Sequence, residues 1–336
     1  VWLGLAVTAV FLWLVLRGVP FADVARDIAR ADWGVMLALS VPSYVLAVYL
    51  RALRWRHLMD PIQSVPTGPL FRAVAVGFMA NNIFPLRMGE VARSWYLARE
   101  TGAGVAPVFA TVVLERVLDI VTVVGLALGV IAVWGAGSQG GIVRGALLLM
   151  PAAAVPVLAL VVLRTAPERV IGAARWCLRP FPARVAASAE RLLRGFSQGL
   201  GALRGGRHLF WIGFHSLTIW LVASTIPLLA GFLALGIKFP SPSQALQAAW
   251  ITLAAIGVAV ALPSAPGFFG AYHLACRLAL ERFGVSPESA VALGTLSHAV
   301  FWVTLTALGL GVLRVRQTSL VEVDEAAGGA DGPSSR

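Results

Sequence analysis

Three short stretches set chemistry-bearing residues inside otherwise apolar sequence. The first, NNIFPLRMGE (81–90), places Asn81 and Asn82 before Pro85, and Arg87, Gly89 and Glu90 after it. Pro85 lacks an amide donor and disfavours helical geometry at Phe84, so a helix must break here. The two amide side chains can serve the freed backbone groups. A helix restarting near Met88 would point free N–H groups and a partial positive charge at the break, beside Arg87. Together they form an anion seat suited to a phosphate. Arg87, Glu90 and Arg93 recur at i, i+3 and i+6 and roughly share a helix face, as a headgroup cradle or as an ion-pair network that braces the break.

The second stretch, VLERVLDI (113–120), carries Glu115, Arg116 and Asp119 in the first half of an apolar run. They can balance the arginines of the first break as a structural salt bridge, or supply a proton-coupling carboxylate. The third, LPSAPGFFGAYH (262–273), repeats the helix break without charge. Pro263 and Pro266 end the incoming helix, with Ser264 between them. Gly267 and Gly270 permit close backbone approach. His273 follows, and His298 lies in the last apolar run. Each can be a hydrogen-bonded packing histidine or part of a transport path.

These breaks must be held by membrane helices. The 336 residues are 58% hydrophobic and 13% charged, with a mean hydropathy of +0.82. The apolar runs are continuous, which favours helices over a barrel. An all-α polytopic membrane protein is predicted, with about six full spans (1–16, 33–50, 107–134, 142–163, 209–235 and 288–312). Two re-entrant broken-helix hairpins are added, 69–84 with 88–100 and 243–262 with 268–283. The run to Leu16 reads as a span, because no basic segment precedes it and no A-x-A site follows. Hydrophobic spans flanked by arginine account for the formal charge of +11 without nucleic acid. Residues 164–207 hold nine Arg against two Glu, which predicts a cytoplasmic loop (about 164–208), part of it compatible with an amphipathic helix on anionic inner-leaflet lipid or with a plain connector. Arg51, Arg54 and Arg56 read as a second cytoplasmic flank. Counting crossings then places both termini inside, and the hairpins enter from opposite faces, a layout compatible with an inverted repeat. Tryptophans near span ends read as interfacial anchors. Residues 1–316 are expected to form one membrane domain, and 317–336 a disordered cytoplasmic tail. Cys177 and Cys276 suggest neither a disulfide nor a metal site, and no metal or cofactor is expected.

The ordered set Asn81/Pro85/Arg87/Gly89/Glu90, Glu115/Arg116/Asp119 and Pro263/Pro266/Gly267/Gly270 resembles the lysylphosphatidylglycerol synthase transmembrane (flippase-like) family over nearly the whole membrane region. Where many relatives carry an acid after the last glycine, this chain has His273. The resemblance implies a bacterial or archaeal inner-membrane protein that moves a phospholipid, aminoacylated or otherwise, or a lipid-linked headgroup between leaflets. Asn81, Asn82, Arg87 and Glu90 would line the site. A soluble aminoacyl transferase is not expected after residue 313, so a separate lipid-modifying enzyme would be a partner. Two alternatives stay open: a polyprenyl-phosphate-dependent sugar transferase, against which the lack of a D-x-D motif counts, and a non-catalytic membrane subunit.

Overall fold

The computed structural model describes residues 2–84, 88–134, 154–155, 158–159, 161–199, 206–260, 266–317 and 320–323. Among them the chain is helical, with no strand. In order, the helices are α1 (Trp2–Leu16), α2 (Phe21–Arg30), α3 (Trp33–Met59), α4 (Thr67–Ile83), α5 (Gly89–Thr101), α6 (Val105–Trp134), α7 (Pro167–Cys177) and α8 (Ala183–Gly199). There follow α9 (Gly206–Thr218), a π turn (Ile219–Ala223), α10 (Ile226–Ala234), α11 (Pro242–Ala259), a 3-10 turn (Pro266–Phe268), α12 (Ala271–Leu280), a second 3-10 turn (Glu281–Phe283) and α13 (Pro287–Arg316).

Local chemistry sets several boundaries. Asp32 caps α3 by accepting from Val35 N at 3.0 Å, Ser241 caps α11 ahead of Pro242, and Ser286 caps α13 ahead of Pro287. Gly102, with φ of 73°, closes α5 in the left-handed region.

Among the described residues, four stretches are long and apolar enough to cross a membrane: Trp33–Met59, Val105–Trp134, Gly206–Ala234 and Pro287–Arg316. They match four of the predicted spans. Helix α1 has 15 residues and reaches span length only together with α2, from which it is bent by 84°. The expected span over 142–163 lies largely outside the described residues. Outward faces carry Leu128, Phe210, Phe214, Leu233 and Val303, as lipid contact demands.

Helix α4 is the centre of the bundle, packed between α3, α5 and α13. Leu70, Ala73, Val74, Met79 and Ala80 of α4 join Trp55, Met59, Leu97 and Leu305 in the main core. The α4–α5 pair is a tight hairpin. A methyl group on Gly89 would lie 2.0 Å from the Gly77 carbonyl oxygen, so the two backbones touch. The predicted second hairpin appears as α11 and α12, which also pack on each other.

Two expectations need correction. Helix α3 does not end at residue 50 with a cytoplasmic arginine flank; it runs to Met59, and Arg51 and Arg54 are buried within it. Trp55 is not an interfacial anchor either: it is fully buried and donates to Thr111 Oγ1 at 2.8 Å. In the Arg-rich stretch, α7 and α8 pack on each other, and α8 packs on α6. Arg175 and Arg194 bind Glu190 on this exposed surface, and their hydrogen bonds hold its carboxyl below the ordinary glutamate value. Within the stretch expected to be disordered, residues 320–323 are helical, with Val323 buried and Glu322 paired with Arg99.

Candidate functional site

Helices α3, α5 and α6 bring six charged side chains together. Arg51 and Arg54 stand one turn apart on α3, Arg93 comes from α5, and Glu115, Arg116 and Asp119 lie on α6. Arg54 Nη1 donates to Asp119 Oδ1 at 2.8 Å, and its Nη2 lies 3.0 Å from Glu115 Oε1. Arg51 Nη1 donates to Asp119 Oδ2 at 3.1 Å. Arg93 Nη1 reaches both Glu115 oxygens at 3.3 Å. Arg116 Nη2 bridges Glu115 at 3.0 Å and Asp119 at 3.2 Å.

The carboxylates are shared and the guanidiniums are in surplus: four stand against these two acids. Glu90 lies close enough to act electrostatically on Arg93 and Arg116. Even so, Arg54 Nε, Arg93 Nη2 and Arg116 Nε are buried without a hydrogen-bond acceptor among the described residues. Unspent buried donors on cations are costly unless an anion completes them. The cluster is not sealed all round. The Arg54 side chain is fully buried, whereas that of Arg116 is 30% exposed.

Neighbouring residues fix these side chains. Arg93 lies over the Trp55 ring at 5.0 Å. Ser216 of α9 accepts from Arg54 at 3.0 Å. Trp220 of the π turn points its indole N–H at Asp119 Oδ1, 3.5 Å away. The π turn holds because its irregular carbonyls find donors, Ser43 on Ala223 at 2.8 Å and Thr225 on Trp220 at 2.9 Å.

A second group forms where described residues flanking the two breaks come together. Asn81 Oδ1 accepts from Gly89 N at 2.9 Å, so it caps the restart of α5 across the break. Asn82 donates to Thr306 Oγ1 at 3.0 Å, and its carbonyl faces the Trp302 indole at 3.4 Å. The same indole nitrogen would lie 3.1 Å from a methyl on Gly267. Trp302 therefore bridges the first break to the second. Gly267 and Gly270 have φ of 72° and 83°, and a methyl on Gly270 would meet Phe11 and the Thr8 carbonyl at 3.0 and 3.2 Å. His273 and His298 are buried with ring centroids 5.1 Å apart, Tyr272 is stacked on His298 at 4.8 Å, and Phe269 meets it edge-on.

Aromatic contacts join the two groups. Arg51 lies over Phe78, Phe78 touches Phe301, and Phe301 touches His298. Of the residues predicted from sequence, Arg93, Glu115, Arg116 and Asp119 thus fall in the charged group, with Glu90 beside it. Asn82, Gly267, His273 and His298 fall in the second group, and Asn81 and Gly89 clamp the hairpin. Pro85, Arg87, Pro263 and Ser264 lie outside the described residues, as does the side chain of Pro266. Sequence reasoning missed Arg51, Arg54, Ser216 and Trp220. The signal for the arginines was their i, i+3 spacing on a face that stays apolar through Leu58 and Met59.

Broken hairpins, apolar outer faces and a buried charge cluster define a multi-pass helical membrane protein. The chain belongs to the family described as the lysylphosphatidylglycerol synthase TM region, whose model matches residues 1–309. It is also similar to a protein named Glycosyltransferase AglD from Haloferax volcanii, with 27% identity over 96% of this chain and 55% of the relative. The chain therefore spans about half the length of that curated relative. No solved structure matches. Together the family and the relative point to a membrane protein of lipid or cell-envelope metabolism.

Proposed function

We propose that this protein moves a phospholipid or lipid-linked headgroup across the membrane, engaging the phosphate at the arginine-rich cluster. The observation that carries this reading is the guanidinium surplus with buried, unspent donors beside a broken hairpin. A phosphate offers the acceptors those donors need, and the partly open Arg116 edge is where it would enter. The acyl chains would stay in lipid against the apolar outer faces. Helix α5, restarting at Gly89, adds the positive end of its dipole, and Arg87 and Glu90 would complete the headgroup contacts. The second group, with His273 and His298, would form the wall contributed by the other hairpin.

The test is reconstitution into vesicles carrying a headgroup-labelled anionic phospholipid. The parent should expose inner-leaflet label to an impermeant quencher faster than empty vesicles, and Arg116→Gln should slow that exposure. Equal rates in parent and empty vesicles across phospholipid and polyprenyl-phosphate probes would overturn the reading.

The similarity to Glycosyltransferase AglD favours a second reading, in which the chain serves sugar transfer on a lipid carrier. Glu90, Glu115 and Asp119 are the acids available to it as a base. Transfer of sugar from a sugar nucleotide to a polyprenyl phosphate by the purified protein, abolished by Glu90→Gln, would establish it.

A further inference from the structure

At one end of the bundle, α3 finishes and α9 begins, and three side chains with metal-binding atoms converge. His57 lies in the last turn of α3, Asp60 caps that helix, and His208 sits in the first turn of α9. Their ligand atoms all lie within 4.8 Å of one another. The Nδ1 atoms of His57 and His208 face the same carboxylate oxygen, Asp60 Oδ2, at 3.8 and 3.7 Å. Both separations are too long for a hydrogen bond. Both nitrogens are nevertheless buried, and neither has a hydrogen-bond partner among the described residues. The two rings stand at 79° to each other with centroids 5.6 Å apart, so they approach from different directions instead of stacking.

We propose that His57, Asp60 and His208 bind a divalent metal of the zinc class. Two orphaned imidazole nitrogens aimed at one carboxylate oxygen are explained by an ion between them. Around a tetrahedral ion with bonds of about 2.0–2.1 Å, donor atoms sit about 3.4 Å apart. The two carboxylate edges reach that size by contracting a few tenths of an ångström, and the two imidazole nitrogens, within 4.8 Å of each other, close on the ion by side-chain rotation. Asp60 and His208 can supply this movement, because their side chains are 34% and 42% exposed. Two nitrogens and one oxygen select Zn²⁺, Co²⁺ or Ni²⁺ over Mg²⁺ or Ca²⁺, which prefer all-oxygen shells. Arg56 and Arg207 adjoin the histidines in sequence, but both are exposed to water, which weakens their repulsion of a cation. Three protein ligands leave a coordination position open to solvent. The metal would tie α9 to α3, the same two helices that Arg54 and Ser216 join deeper in the bundle.

The full-length, tag-free protein in detergent is titrated with Co²⁺, and Zn²⁺ is then used to displace it. The parent should show the visible absorption of tetrahedral Co²⁺ with one ion bound per chain, Mg²⁺ should not compete, and Zn²⁺ should raise the melting temperature. His208→Ala, a change at a half-exposed position, should keep the parent's size-exclusion profile. It should weaken Co²⁺ binding by about tenfold or more, since even loss of a ligand's supporting partner costs that much, and should lose the Zn²⁺-dependent rise in melting temperature. Metal uptake that is the same in the parent and in the His57→Ala/His208→Ala double variant, or no specific uptake by the parent, overturns the proposal. Lipid movement enters neither readout.

Discussion

Arg54 and Arg116 grip the same two carboxylates, yet one is enclosed and the other borders an opening. Replacing Arg54 with alanine removes the most deeply buried of the four guanidiniums and breaks its pairs with both Glu115 and Asp119, where water does not reach. Breaking such a buried pair costs about 3–5 kcal/mol, so Arg54→Ala should unfold at markedly lower denaturant in reversible detergent unfolding. Arg116→Gln should unfold close to the parent, since that side chain is 30% exposed. It should still bind phosphate-bearing lipid about tenfold more weakly, the equivalent of one charged hydrogen bond of roughly 1.5 kcal/mol, read by lipid retention on the purified protein. The α5 and α6 charges were legible in sequence because ionisable residues inside apolar runs stand out. Arg51 and Arg54 were not, because an arginine flanking a span and an arginine paired inside one look alike until the partner helix is in place. Their partners lie more than sixty residues further along the chain.

The α4–α5 hairpin makes its prediction at the level of the element. Gly89→Ala puts a methyl group 2.0 Å from the Gly77 carbonyl, whereas Gly125 and Gly129 of α6 have nothing within 4 Å of a new methyl. Overpacking of this kind costs about 1–3 kcal/mol or more, so Gly89→Ala should lower the melting temperature while Gly125→Ala leaves it level or slightly raised. Both helix breaks could be read from proline and glycine, and the second arm of the first hairpin from its restart near Met88. The π turn could not. It depends on Ser43, from a helix far away in sequence, reaching the Ala223 carbonyl, and no local pattern announces that. The length of α3 was hidden for a related reason: hydropathy falls at Arg51, but burial continues to Met59.

For the whole molecule, the chain's own labelling sites give a test of orientation. Cys177 is exposed on α7 and Cys276 is buried, while Lys238, the single lysine, is exposed between α10 and α11. The span Gly206–Ala234 separates Cys177 from Lys238, so they should lie on opposite membrane faces. In intact cells, an impermeant amine reagent should modify Lys238. An impermeant maleimide should reach Cys177 only after permeabilisation, and Cys276 should resist both. Cys177 labelled from outside would invert the topology that the arginines predict. Helix α4, meanwhile, meets glycines on two partners: Gly77 abuts Gly89 of α5, while Ala75 and Met79 press on Gly309 of α13, where a methyl would lie 2.4 Å from Met79 Cβ. With backbones in contact at both flanks, none of the three helices can tilt without dragging the others. They form one stiff slab, and any doorway that opens for a headgroup has its moving leaf elsewhere in the bundle.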